Sequence, residues 1–137
     1  MQPAVTFAKA LADATRLRVI AALRQRELCV CELCDALEAT QSTLSTHLTL
    51  LRHAGITRTR KQGKWIYYRL SDEAAPLIET FLSHFADAKR DKRMRRDTDR
   101  VRQRLRLREN GCCNVGFKPH RVRQGLKLGE NGCCNVR

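Results

Sequence analysis

The 137-residue sequence has no apolar run approaching the roughly 18 residues that a membrane span requires. Its opening stretch, MQPAVTFAKALADATRLR, lacks a basic start followed by an apolar segment, so no secretory leader is expected. No Ser/His/Asp set, pair of catalytic carboxylates or glycine-rich phosphate loop stands out, and neither an enzyme nor an organic cofactor is expected. These absences predict a cytoplasmic chain without a membrane partner. In that compartment thiols stay reduced, and seven cysteines argue for metal binding or thiol chemistry rather than disulfide staples.

Charge is present in excess, but unevenly. The net charge of +13 divides into +2 over residues 1–88 (eleven Lys/Arg, nine Asp/Glu) and +11 over residues 89–137 (sixteen against five). A basic protein usually meets polyanions, nucleic acid foremost. Because the excess lies in the second part, function has to be read from residues 1–88.

Within that part the apolar residues recur at helical spacing. Phe7, Ala10 and Leu11 form one stripe. Leu17, Ile20, Ala21 and Leu23 form another, on a helix at about 14–25 that Asp13 can cap. A shorter helix is predicted at about 30–38, then one at about 41–54 that Thr40 caps and Gly55 stops. After Gly55 the period changes. ITRTRKQGKWIYYRL alternates around Gln62-Gly63 as a β-hairpin does, and a last amphipathic helix follows at about 72–88. This order outlines a mainly α fold with a small β-hairpin, a winged helix-turn-helix domain spanning residues 1–88.

Residues 89–137 read differently. They are charge-dense and poor in large apolar residues, which predicts a largely disordered basic tail. The tail holds a duplication: RVRQRLRLRENGCCNV at 100–115 recurs as RVRQGLKLGENGCCNV at 121–136, identical at thirteen of sixteen positions. Two copies are too few for a solenoid.

The helix at about 41–54 turns Leu44, Leu48 and Leu51 to one side and short polar residues to the other. Gln41, Ser42, Thr43, Ser45, Thr46 and Thr49 suit close approach to a major groove, with His47 and Arg52 able to reach base edges or phosphates. Arg58, Arg60, Lys61 and Lys64 cluster about the hairpin turn, where cations grip phosphates or enter a minor groove. The expected partner is double-stranded operator DNA. Trp65, Tyr67 and Tyr68 are read as packing for the second wing strand rather than as a stacking platform for single strands.

Four ordered segments, LADATRLRVIAAL, ELCVCELCDAL, QSTLSTHLTLLRHAGI and GKWIYYRL, together resemble the ArsR/SmtB family of metal-sensing repressors over about residues 5–88. The resemblance implies a homodimer built through the first and last helices. It also implies repression of resistance operons and release from DNA when metal binds. Arsenite sensors of the family carry C-V-C-x-x-C, which assigns Cys29 and Cys31 as essential ligands and Cys34 as a further one. The expected inducer is As(III) or Sb(III).

The residues themselves leave alternatives open. Three thiolates suit a trigonal-pyramidal metalloid, whereas zinc prefers four ligands. Buried cysteines also serve as small hydrophobes, and a redox dithiol is conceivable, though no thioredoxin-like pattern surrounds these. In a regular helix Cys29 and Cys31, at i and i+2, point apart, so joint chelation with Cys34 requires a frayed or distorted helix start. Cadmium or lead sensing is the rival within the family, but its sensors add cysteines before this segment and none precedes Cys29. A zinc site on the last helix would use His84 and Asp87, with Ser71 and Glu73 at the places of its first pair, and looks incomplete. The vicinal pairs Cys112-Cys113 and Cys133-Cys134 are additional candidate ligands. A thiol-based metalloid buffer or redox protein is the reading from a different class.

Overall fold

The structure, a computed structural model, describes residues 1–85 and 91–113. Helices α1 (Gln2–Leu11) and α2 (Ala14–Leu23) meet at a corner fixed by two side chains. The Asp13 carboxylate accepts the Arg16 amide at 2.9 Å, capping α2 as its position suggests. The Arg16 guanidinium turns back to donate to the carbonyls of Ala10 and Lys9 in the last turn of α1.

Strand β1 (Leu28–Cys29) is followed at once by α3 (Val30–Leu37) and then α4 (Gln41–His53). Thr40 caps α4 by accepting the Thr43 amide. Gly55, at φ +72°, ends the segment in the left-handed conformation that favours glycine. The wing consists of β2 (Thr57–Gln62) and β3 (Trp65–Leu70), paired antiparallel through a turn containing Gly63. The expected hairpin is thus present, and β1 adds a third strand to it. Leu28 pairs with Tyr68 and Cys29 with Tyr67, giving the order β1-β3-β2. Helix α5 (Ala74–His84) closes the domain. The residues expected to extend it, 85–88, include 86–88, which lie outside the described residues.

Val19, Ile20, Leu33, Leu37, Leu44, Leu48, Leu51, Ile56, Tyr67 and Ile78 form the centre of the core. Tyr67 and Tyr68 are buried and Trp65 half-buried, so the wing aromatics pack rather than stack bases.

The tail expectation fails over its first part. Lys92–Leu105 forms helix α6, capped by Asp91, and it packs on α3 and α2. Residues 106–113 continue along α3 as a strap. As a result every residue of α3 is buried. Counting apolar residues missed this because polar groups carry the docking. Glu32, Asp35 and Glu38 stand three apart along α3, and Arg100, Arg104 and Arg108 stand four apart along α6 and the strap. They pair in antiparallel order: Arg100–Glu38 at 2.9 Å, Arg104–Asp35 at 2.9 Å and Arg108–Glu32 at 2.8 Å. Arg18 of α2 adds a bond to Asp97 at 2.6 Å. Val101 is the apolar residue that α6 buries completely. The second copy of the repeat, with Cys133 and Cys134, lies outside the described residues.

Candidate metal centre and nucleic-acid interface

Cys29 is the last residue of β1 and the N-cap of α3, with extended backbone at φ −83° and ψ 168°. Cys31 is the second residue of the helix. The expected conflict between i and i+2 therefore does not arise, because only one of the two is helical. Their sulfurs lie 2.9 Å apart without any break in α3. The Glu32 carboxylate accepts the Cys29 amide at 2.9 Å and holds this first turn in place.

The third sulfur near this pair comes from the strap. Cys113 Sγ stands 3.3 Å from Cys31 Sγ, and the ligand atoms of Cys29, Cys31 and Cys113 all lie within 4.8 Å of one another. Three sulfurs each about 2.3 Å from one ion stand roughly 3.4–3.8 Å apart, so the pairs at 2.9 and 3.3 Å would have to part by less than about 1 Å to share a soft centre. All three residues are buried. Among the described residues this is the group with metal-binding geometry, and Cys34, buried one turn further along α3, is not part of it. None of the five described cysteines forms a disulfide.

Cys113 reaches this place through a tight turn. Glu109 and Cys112 exchange backbone hydrogen bonds of 3.1 and 2.9 Å around Asn110 and Gly111, both at positive φ. Asn-Gly is the pair that tolerates this conformation best. The Cys113 amide donates to the Tyr67 hydroxyl at 2.7 Å, and Gln62 donates to Cys112 Sγ at 3.0 Å. Tyr67 sits beneath the strap, and burial pushes its pKa up to about 12.

Two buried cations adjoin the thiols. Arg104 Nη2 is 3.7 Å from Cys113 Sγ, and Arg108 forks onto both Glu32 oxygens at 2.8 Å. Burial opposes both charges, yet the surrounding carboxylates and sulfurs outweigh it and raise both pKa values. A thiolate cluster here is therefore compensated by fixed positive charge.

The residues expected to read DNA lie on the outer face of α4 and on the wing. Ser42, Thr43, Thr46, Thr49 and Arg52 are exposed, and Gln41 and Ser45 are half-exposed. Thr46 and Thr49 each donate to the carbonyl four residues back. His47 points to the α1–α2 corner instead, with Nδ1 3.5 Å from Arg16 and 3.7 Å from Asp13. On the wing, Lys61 and Lys64 stand at the exposed tip. Arg58 pairs with Glu73 at 2.8 Å. Arg60 is held by Glu27 and lies over the Tyr67 ring at 4.8 Å, so it braces the wing base.

Comparison with known proteins decides the family. Residues 13–59 match the model for bacterial regulatory proteins of the arsR family. The arsenic resistance transcriptional regulator ArsR1 of Pseudomonas putida is 44% identical over 92 residues, covering 66% of this chain and 71% of that protein. The chain belongs to the ArsR family. The arsenical resistance operon repressor of Escherichia coli is 55% identical over 64 residues, covering 46% of this chain and 55% of that one. A cadmium resistance transcriptional regulatory protein CadC homolog of Staphylococcus aureus is 42% identical over 78 residues, 56% and 64% of the two chains. These matches span about half to seven tenths of the relatives' lengths. Among solved structures, the homodimeric winged helix-turn-helix DNA-binding domain Mb0332 of Mycobacterium bovis superposes with a TM-score of 0.58 at 28% identity, covering 64% of this chain and 82% of that one. The chain is accordingly an ArsR-family transcriptional regulator of winged helix-turn-helix fold, not an enzyme.

In this ArsR-family chain the last-helix zinc site has no donor set among the described residues. Ser71 donates to the Gly55 carbonyl and accepts the Ala74 amide, and Glu73 is engaged by Arg58. Asp87 lies outside the described residues. Sequence reasoning gave Cys113 only as an additional ligand and missed Glu32, Asp35, Arg104 and Arg108, which bring it to α3. The signal was available in the acidic 32/35/38 spacing facing the arginine 100/104/108 spacing, and in the Asn-Gly turn before the cysteines.

Proposed function

We propose that the chain is a cytoplasmic, homodimeric repressor that holds operator DNA when metal-free and releases it when thiolates capture As(III) or Sb(III). The observation that carries this reading is the buried Cys29–Cys31 pair, 2.9 Å apart at the first turn of α3. That turn lies one helix ahead of α4, against which α3 packs. A ligand that alters α3 thus changes how α4 is held. By linkage, DNA must weaken inducer binding by the factor that inducer weakens DNA binding.

The roles follow. Cys29 and Cys31 are essential ligands, and the third sulfur is Cys34, as the family resemblance implies, or Cys113. Gln41, Ser42, Thr43, Ser45, Thr46, Thr49 and Arg52 read the groove. Lys61 and Lys64 hold phosphates, joined by Arg58 and Arg60 if Glu73 and Glu27 release them, and His47 positions the helix. Val5 on α1 and Leu77 and Phe85 at α5 are large apolar residues left exposed at 37%, 58% and 51%, which supports dimerisation through these helices. The relatives named for arsenic resistance favour the metalloid over cadmium or lead. The cadmium-named relative keeps the second inducer in view, and a softer four-ligand site would need one more donor than the three sulfurs gathered here.

Operator binding titrated with arsenite, cadmium and zinc tests the reading. Arsenite is expected to release the wild type, and Cys29→Ser/Cys31→Ser to bind the operator normally and ignore arsenite. Release of that double variant would overturn the proposal, and release of the wild type by cadmium alone would reassign the inducer.

A further inference from the structure

Resting on that reading, we infer that the third thiolate of the inducer site is Cys113 of the first repeat copy, not Cys34, so that the metalloid ties the C-terminal strap to α3. Its sulfur is 3.3 Å from Cys31, and the three sulfurs of Cys29, Cys31 and Cys113 lie within 4.8 Å of one another. Cys34, one turn further along α3, lies outside this group, whereas these three sulfurs are already gathered at one place.

The strap is built to deliver that sulfur. Arg104 bonds Asp35 at 2.9 Å, Arg108 forks onto Glu32, and its Nη2 donates to the Glu27 carbonyl at 2.6 Å. The Asn110-Gly111 turn then reverses the chain, and the Tyr67 hydroxyl receives the Cys113 amide at 2.7 Å. Glu32 thus fixes both ends of the site, through the Cys29 amide and through Arg108. Cys112, bonded by Gln62 at the wing turn, extends the strap's reach to the DNA-binding wing.

The duplication sharpens the assignment. The two copies differ at three positions, and Gly125 and Gly129 stand where the first copy has Arg104 and Arg108. The second copy keeps Asn131-Gly132-Cys133-Cys134 but lacks both arginines that seat the strap. The first copy is therefore the one fitted to α3.

Binding is an exchange without redox change. Arsenous acid forms three As–S bonds and loses three As–O bonds, each hydroxyl leaving as water with the proton of one thiol.

X-ray absorption on the full-length arsenite complex counts the sulfurs. Wild type, Cys34→Ser and Cys133→Ser/Cys134→Ser are expected to show three As–S bonds, and Cys113→Ser two with an oxygen in place of the third. Arg108→Gly, which copies the second repeat, should weaken arsenite binding by about 10–100-fold, as loss of a ligand-positioning partner does. Three sulfurs in Cys113→Ser with two in Cys34→Ser would overturn the inference while leaving arsenite-responsive repression intact. Failure of arsenite to release wild type from its operator would sink the functional reading instead.

Discussion

Removing the Arg104 side chain tests whether α6 is held by charge. Arg104 and Asp35 are 1% and 4% exposed at their side chains and bond at 2.9 Å. Deleting one partner of such a pair strands the other charge away from water, at a cost of about 3–5 kcal/mol. The Arg104→Ala chain should therefore show amide exchange in α6 faster by roughly two to nearly four powers of ten, at about 1.4 kcal/mol per power. The ceiling is the docking free energy itself, where α6 exchanges as an exposed helix. Native-state hydrogen exchange resolved by mass spectrometry reads this segment apart from the core. Arg104→Met/Asp35→Leu provides the control, because replacing both charges with apolar groups of similar volume is often neutral. The double variant should thus recover most of the protection. If Arg104→Ala left α6 protection within about threefold of wild type, or if both variants lost it equally, the charge-ladder account would be wrong.

Other expectations follow from the same geometry. Lys61→Ala/Lys64→Ala should weaken operator binding across sequences and, with two lysines lost from each protomer of the proposed dimer, flatten the salt dependence by a slope of about 4, read by titrations at several salt concentrations. Glu27 has its pKa lowered chiefly by its hydrogen bonds to Arg60. A lowered folded-state value means its stabilisation is complete above the ordinary 4.5 and fades as pH falls below it. The melting-temperature gap between wild type and Glu27→Gln should close over that window, and a gap that widened with acid would contradict the sign. Gly55→Ala should cost about 1–2 kcal/mol in denaturant unfolding. The position sits at φ +72° with nothing within 4 Å of an added Cβ, so the loss is all backbone strain.

The local signals in the sequence carried most of the domain. Asp13 and Thr40 as caps, Gly55 as a stop and Gln62-Gly63 at a hairpin are short-range chemistry, readable without knowing what packs where. The leucine stripe of α4 marked which face is buried and which is left to solvent, since period and burial are tied in a helix. The C-V-C pattern marked two of the three cysteines that the fold gathers, but their geometry was not legible. Whether residues 29 and 31 diverge or converge depends on where the helix begins, and that is decided by the pairing of Cys29 with Tyr67 in the sheet.

The tail shows the same division more sharply. Composition alone placed 89–137 among segments that cannot bury a core, and α6 does bury only Val101 completely among its apolar residues. What composition cannot register is a register match between two charged rows 69 residues apart, such as Arg104 with Asp35. Taken singly, each arginine is a solvated surface cation. Set against the buried carboxylates of α3, the same residues form a docking device, because a charge is stable out of water only when its partner stands at the right place. The sequence by itself determined the caps, the turns, the buried face of α4 and the supply of thiols. The tertiary structure alone decided which thiols meet, since sulfurs 82 residues apart become neighbours only through the folded path between them.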